Sequence, residues 1–497
     1  MIKSSGLRND SASGPKRRLR RTGVPKAVII VGAGQGGLVA SIYARLRGHQ
    51  VLILDPTPGG KAAPIQEGDY RLDPGPSIII LTELYDRVFR DAGRKREDYL
   101  TFQRLRPLSR VCFEGSEPLD LPDDRKQAEQ LVAGLDAADG KNFAELMSKL
   151  DEVAPAVEKS VFARPYDRIW QLIDPQLMKV GARFNVRQTY REMVDGWFRT
   201  PLLRAFFYGF PSYGGQSYRS KAPGALLIPY YMLQNGVWYP EGGISAIPQA
   251  FRRLAEELGV EFRAEKVTEV EKEGSRITAV RTNLGARYEA ESFISNLDRL
   301  TFGEMVGRSA NMEPSYSYFT VHWGVRKPLP QVEHHTLLVP KSFEQGFESL
   351  YDTRTFASEP IVYLNNTSMT DPTVAPKGKT NLFAVVTSPA MEDHLDWPAN
   401  QERLADNLEA QLRTFGIDVA ETDFRRIQTP VYFQQQHGNH RGSLYGPDEK
   451  HRILGGLFPL SNRDDEFKNL FYCGGSVQPG AGLPMVTLGG RFAAEML

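Results

Sequence analysis

Cysteine is nearly missing: Cys112 and Cys473 are the only two in 497 residues. That leaves no disulfide framework and no thiolate knuckle, and a reducing cytoplasm is the expected compartment. Neither sign of charge is in excess, since 61 Lys and Arg face 60 Asp and Glu for a net charge of +1. A broad polyanion-binding surface is therefore not expected, and neither is a nucleic-acid partner. No stretch approaches the eighteen or so consecutive apolar residues of a membrane-spanning helix. GxSxG and CxxC are absent as well, which removes the nucleophile-elbow hydrolase and dithiol redox classes. His334 and His335, and His437 and His440, occur in pairs without the cysteine or acid neighbours of a ligand set, so no metal is expected.

What charge there is sits unevenly. Residues 1–26 hold eight Lys or Arg against one acid, which reads as a basic, disordered tail over 1–23 with no apolar core of a secretory signal. Such a tail can serve as a solubilising leader or as an electrostatic tether to anionic lipid. The remaining length exceeds what one core normally supports, so at least two domains are expected.

The apolar run "AVIIV" at 27–31 fits a strand buried on both faces of a parallel sheet. Gly32-x-Gly34-x-x-Gly37 follows directly, then the helical "LVASIYARLRG", then a second apolar strand, "QVLILD", ending on Asp55. Strand, glycine turn, helix, strand and acid in this order are a dinucleotide fingerprint. Gly32 allows the tight turn, Gly34 lets backbone approach a pyrophosphate, and Gly37 brings helix and sheet together. Gln35 lies in the same turn, and Asp55 is placed to accept from ribose hydroxyls. These residues leave NAD and FAD equally open.

The next stretch, "DPTPGGKAAPIQEGDYRLDPGPSII", adds the pair Gly59–Gly60, then Lys61, and a turn over Gly75, Pro76 and Ser77. It resembles the FAD-containing amine oxidase and carotenoid desaturase superfamily, whose glycine-pair-plus-arginine motif lies along the flavin. Lysine stands here in the arginine's place, keeping the charge but losing the two-pronged contact. "NGVWYPEGGISAIPQAFRRLAEELGVEFRAEKVTEVEKEGSRITAVRTNLGARYEAESFISN" at 235–296 resembles bacterial carotenoid desaturases closely, and the resemblance implies that Val267 packs on the adenine. The ending "CGGSVQPGAGLPM" at 473–485 is similar to the "PGAG-[LIV]-P" close of those enzymes. It implies flavin contacts at Gly475, Ser476, Gly482, Leu483, Pro484 and Met485, with Gln478 where the family commonly has histidine.

Read from its residues, 235–296 carries a helix near 246–258 and strands near 260–270, 275–283 and 286–296. Residues 106–229 read as helical and aromatic, and β-rich runs from 316 onward read as a mostly antiparallel sheet. The expected fold is thus α/β: a Rossmann-like FAD-binding domain (24–105, 230–298 and 431–497) interleaved with an α+β substrate domain (106–229 and 299–430). A final strand at 470–473, a glycine turn and a last helix would return the chain to the cofactor, so that the two glycine clusters hold opposite ends of one FAD.

The resemblance implies an FAD-dependent carotenoid (phytoene) desaturase acting on CH–CH bonds of an acyclic polyene such as phytoene, neurosporene or a hydroxylated derivative, with quinone or oxygen as electron acceptor. The shapes of "GGSVQPGAGLPM" and "FPLSNR" suggest a late step on an oxygenated or already conjugated chain. Alternatives are a non-catalytic prenyl- or lipid-binding relative such as a GDP dissociation inhibitor, or a retinol saturase-like oxidoreductase. No acid or base is assigned. A hydrophobic substrate implies a membrane surface as partner, with the tail and Trp197, Phe198, Phe206, Phe207 and Tyr208 as candidate contacts, and hence a cytoplasmic, peripherally membrane-associated protein.

Overall fold

Alternate residues of the Ala27–Val31 strand enter two different cores. Val28 and Ile30 join the cluster under the flanking helices, while Ile29 and Val31 face Val267, Val270, Ile277 and Val280 on the other side. A strand with no solvent face has to be apolar throughout, which is why its sequence shows no alternation. The computed structural model describes residues 26–166, 171, 174–183, 187–309, 311–452 and 459–497. The basic tail expected over 1–23 lies outside the described residues.

This strand centres a five-stranded parallel sheet in the order Leu470–Tyr472, Ser292–Ser295, Ala27–Val31, Gln50–Leu54, Glu261–Arg263. Helices Gln35–Leu46, Ala246–Glu257 and Leu483–Glu495 cover one face. An antiparallel three-stranded sheet, Val267–Glu273, Arg276–Thr282 and Arg287–Glu289, covers the other.

The second large sheet has seven strands, in the order Thr422–Gln428, Ser317–Val325, Thr380–Ser388, Val362–Asn366, His335–Val339, Ser109–Phe113, Leu119–Leu121. It is antiparallel except for the pair His335–Val339 and Ser109–Phe113. Phe319, Val321 and Trp323 from one strand, and Leu382, Ala384 and Val386 from its neighbour, pack under the helix Trp397–Thr414. Their in-between neighbours Tyr318, Thr320, Phe383, Val385 and Thr387 point to a cavity on the opposite face. The period-2 rule assigns these two faces directly.

Three expectations need correction. Residues 106–229 are not wholly helical, because Ser109–Phe113 and Leu119–Leu121 extend the seven-stranded sheet. The strand expected over 260–270 is two strands: Glu261–Arg263 pairs with Leu52–Leu54, and the chain then crosses to the three-stranded sheet at Val267. The strand expected over 286–296 likewise divides into Arg287–Glu289 and Ser292–Ser295. Alternation identifies strands but not the sheet each one joins. The aromatic run at 197–208 is mainly interior: Phe198, Phe207 and Tyr208 are fully buried, and Phe198 stacks on Phe207 with ring centroids 4.7 Å apart. Trp197 and Phe206 are half-buried. Among the described residues no helix is long and apolar enough to cross a membrane.

Behind the parallel sheet, a buried carboxylate joins the C-terminal return to residues 299–308. Asp464, with no exposed side-chain surface, accepts from Arg299 at 2.9 Å and Arg308 at 2.5 and 2.7 Å. The Tyr472 hydroxyl and the Glu466 and Phe467 N–H groups donate to it as well. Burial alone would raise its pKa, but the guanidinium groups and N–H donors outweigh that and hold it well below the usual carboxylate range. A carboxyl lowered in this way adds stability fully above about pH 4 and loses it as pH falls further. Asp464→Ala should cost about 3 kcal/mol, because it strands the buried Arg299 and leaves the half-buried Arg308 with Glu466 alone. Urea melts at neutral pH check this, and a variant as stable as the parent would contradict the assignment.

Candidate functional site

Both glycine clusters open onto one cavity of ≈ 1360 Å³. Gly32 turns the chain with φ +99°, its N–H donating to Leu54 O at 2.9 Å. Gly34 then caps the helix Gln35–Leu46 with no side-chain cap, so the first N–H groups of that helix face the cavity free. Four hundred residues on, Gly482 (φ +96°) caps Leu483–Glu495, again with no side-chain hydrogen bond. Two open helix N-termini, each carrying partial positive charge, therefore face one space.

Gln35 ties these two ends together. Its side-chain Nε2 donates to Leu483 O at 2.8 Å and to Thr487 Oγ1 at 2.7 Å. Asp55 ends the second strand with Oδ2 accepting from the Ala33 N–H at 2.6 Å and Oδ1 from the Thr57 N–H at 2.7 Å. Burial raises its pKa, and the two N–H donors offset that only in part.

The second glycine pair is folded back on the first. The Gly59 N–H donates to Ala33 O, and a Cβ on Gly60 would stand 3.2 Å from Gly34 Cα. Gly75 crosses Lys61 so closely that a Cβ would fall 2.2 Å from Lys61 O. Lys61 lines the cavity, where burial lowers its ammonium pKa against the pull of Asp298. Pro76 and Ser77 continue the wall, and Ser77 Oγ accepts from the Tyr363 hydroxyl of the seven-stranded sheet at 2.8 Å. Val267, Gly475, Gly482, Leu483, Pro484 and Met485 complete the sequence-derived residues on the wall. Two others stand behind it. A Cβ on Gly37 would meet Gly32 O at 2.1 Å, which makes Gly37 a packing position, and Ser476 Oγ accepts from the Arg299 N–H.

Gln478, at the histidine's place, is buried at 3% exposure and reads both edges of one peptide segment. Its Oε1 accepts from Tyr166 N–H and its Nε2 donates to Tyr166 O, both at 2.8 Å. It clamps the C-terminal loop to the helical region, a task that needs a donor and an acceptor on one planar group.

Sequence reasoning missed Asn296, which sits between the two clusters. Hypothetical Cβ atoms on Gly34 and Gly36 would both lie 2.6 Å from its amide. It also missed Asp298, the N-cap of Arg299–Met305, whose pKa burial raises against the nearby Lys61. The available signal was position: both follow the carboxyl end of a parallel strand, where open α/β sheets bind ligands. Among the described residues His437 is the one imidazole on the wall, and burial together with Lys61 lowers it to about 4, so it is neutral. Among the described residues no three His, Cys, Asp or Glu side chains cluster as a metal site.

This geometry suits a dinucleotide with room to spare. Backbone approaches where side chains would intrude, two helix N-termini await anionic or electron-rich groups, and ≈ 1360 Å³ exceeds the roughly 300–1,000 Å³ of an ordinary ligand pocket. A family model described as flavin containing amine oxidoreductase matches residues 36–497. The chain is 30% identical to a zeta-carotene-forming phytoene desaturase of Myxococcus xanthus, covering 95% of this chain and 94% of that protein. It is 29% identical to a 4,4'-diapolycopene oxygenase of Methylomonas sp, covering 95% and 97%. The fold matches an oxidoreductase from Methanosarcina mazei with a TM-score of 0.63 at 15% identity, covering 94% of this chain and all of that one.

The glycines make distinguishable predictions. Gly34→Ala meets only the movable Asn296 amide, so the protein should fold normally while flavin affinity falls about tenfold or more, about 1.4 kcal/mol. Gly37→Ala presses on a backbone carbonyl and should lose about 1–3 kcal/mol of stability. Thermal melts with and without added flavin separate the two, and identical behaviour of both variants would contradict these roles.

Proposed function

The chain belongs to the flavin containing amine oxidoreductase family, and we propose that within it this protein is an FAD-dependent desaturase of an acyclic polyene. One observation carries the reading. Among the described residues Asp55 is the only acidic side chain on the cavity wall, while Lys61, Arg164, Lys221, Lys266, Arg426 and Arg452 also line it. Asp55 lies at the nucleotide-binding turn with both oxygens already accepting N–H donors. An ammonium substrate would meet cations and no free carboxylate. An uncharged hydrocarbon suits the remaining wall, which includes Phe162, Ile228, Leu337, Ile361, Phe383 and Val385. The names of the relatives support the same substrate class.

A bound FAD would supply the hydride acceptor for such a reaction. The substrate loses a hydride from one carbon and a proton from its neighbour, the electron pair of the C–H bond that releases the proton forms the new double bond, and two electrons and two protons in all pass on to the final acceptor. Positive charge arising at an allylic carbon is spread over the existing double bonds, so little charge stabilisation is required of the protein. Its side chains hold an extended chain in one register and keep water away. Quinone or oxygen completes the electron balance.

Oxygenation of a terminal carbon is a second reading, favoured by the name of the Methylomonas relative. FAD-reconstituted protein given detergent-dispersed phytoene, neurosporene, lycopene and a 1-hydroxy derivative distinguishes them. The expected products lack two hydrogens per turnover and absorb at longer wavelength. Products that gain oxygen instead support the second reading, and a folded sample that takes up no flavin supports a lipid carrier. Because such substrates reside in bilayers, the basic tail is proposed as a membrane contact. Deleting residues 1–22 should weaken flotation with anionic liposomes, more at low salt than at high salt. Equal flotation with and without the tail contradicts that role.

A further inference from the structure

Four of the tyrosines that line the cavity, Tyr213, Tyr318, Tyr363 and Tyr445, gather in one region of its wall. Tyr318 and Tyr363 rise from neighbouring regions of the seven-stranded sheet, Tyr213 comes from the turn after the helix Pro201–Tyr208, and Tyr445 from the loop behind the C-terminal glycine turn. All four line the cavity. Tyr318 and Tyr445 hydroxyls are 2.5 Å apart, with rings edge to face at 6.1 Å. Ser212 stands beside Tyr318. Tyr213 lies near both Tyr318 and Tyr363. It is 37% exposed and lines the cavity, and the Tyr213 hydroxyl makes no hydrogen bond to a described residue.

From this convergence we infer that Tyr213, Tyr318 and Tyr445 form a receptor for a neutral oxygen, an alcohol, aldehyde or ketone, at one end of the polyene chain. The inference rests on the polyene reading above and narrows its substrate class. Hydroxyls in an apolar wall lose water when a hydrocarbon fills the space, and each unmade hydrogen bond is then a loss; an oxygen on the substrate restores it. Burial raises all four phenol pKa values above the usual range, so the groups stay protonated and donate. Arg452, the cation beside Tyr445, already gives its N–H groups to Pro447 O, Gly214 O and Tyr445 O. Tyr363 is engaged differently, between Ser77 Oγ at 2.8 Å and His335 Nδ1 at 2.6 Å, and borders the receptor without belonging to it.

The test compares a hydrocarbon polyene with its terminal alcohol and terminal aldehyde, using full-length FAD-reconstituted protein and the variants Tyr213→Phe, Tyr318→Phe and Tyr445→Phe. Wild type should bind the oxygenated chains about tenfold or more tightly than the hydrocarbon, and the aldehyde's absorption should shift to the red on binding, because a hydrogen bond polarises the conjugated carbonyl. Tyr213→Phe removes a hydroxyl with no described protein partner, so it should bring the preference to within about threefold, by weakening the oxygenated chains and strengthening the hydrocarbon, and diminish the red shift, while the melting temperature of the ligand-free protein holds. Tyr318→Phe and Tyr445→Phe should act in the same direction. An unaltered preference in all three variants overturns the receptor. Equal wild-type binding of all three ligands overturns it as well, while leaving the polyene reading standing. Failure of wild type to bind any of them overturns both.

Discussion

Everything at the site depends on one close helix crossing. A Cβ on Gly490 of the last helix would fall 2.3 Å from Gly36 O of the first, so the two backbones touch where almost any side chain would hold them apart. This contact sets the two open N-termini side by side, and the Gln35 amide then fixes their offset through Leu483 and Thr487. The ends of the chain are thereby joined across more than four hundred residues. Closing so long a loop costs only slightly more entropy than closing a shorter one, since the cost grows with the logarithm of length. It does make the site a non-local structure, assembled only when the parallel sheet receives its final strand, Leu470–Tyr472.

The second half of the site follows from a sheet with two unlike faces. Under the helix Trp397–Thr414, Ser317–Val325 presents Phe319, Val321 and Trp323, which are fully buried. One residue out of step, Tyr318 and Thr320 look into the cavity. A slip of one residue would place indole and phenylalanine rings in the substrate space and phenols under the helix, so the core packing itself fixes which groups meet the ligand. Register is a stability property of this sheet before it is a functional one.

The glycine turn, Asp55 and the last helix were legible because each carries a local sequence signature: glycines spaced directly after an apolar strand, an acid closing the next apolar strand, and a Pro-Gly-Ala-Gly turn before the final helical stretch. Asn296 was not, since a single asparagine after an apolar strand has no pattern of its own and acquires meaning only when Gly34 and Gly36 fold against it. Gly37 and Ser476 show the converse. The motif names them with their neighbours, but in the fold one packs against Gly32 O and the other accepts from the Arg299 N–H. The aromatic run at 197–208 was ambiguous in principle, because core packing and membrane contact demand the same residues, and only neighbours such as Phe207 stacked on Phe198 decide between them. Strand-to-sheet assignment across 260–296 was hidden for a related reason: hydrophobic alternation reports one buried face and says nothing about the partner strand.

The seam between the halves is held by polar groups that a hydrocarbon site would not need. Ser77, on the cofactor side, bonds Tyr363 on the sheet, and Tyr363 bonds buried His335, whose pKa burial drives well below the ordinary value. With His335 neutral, the row Ser77, Tyr363, His335 carries no charge, and its directional bonds fix the angle between the glycine loop and the sheet without adding an ion to the cavity wall. An apolar seam of equal area would bind the halves as firmly but allow sliding, because dispersion and burial are non-directional. In the desaturase proposed above, removal of hydride from one carbon of a long chain would depend on which carbon stops opposite the acceptor. Hydrogen bonds at the seam and at the tyrosine cluster are the directional interactions on this wall suited to setting that distance.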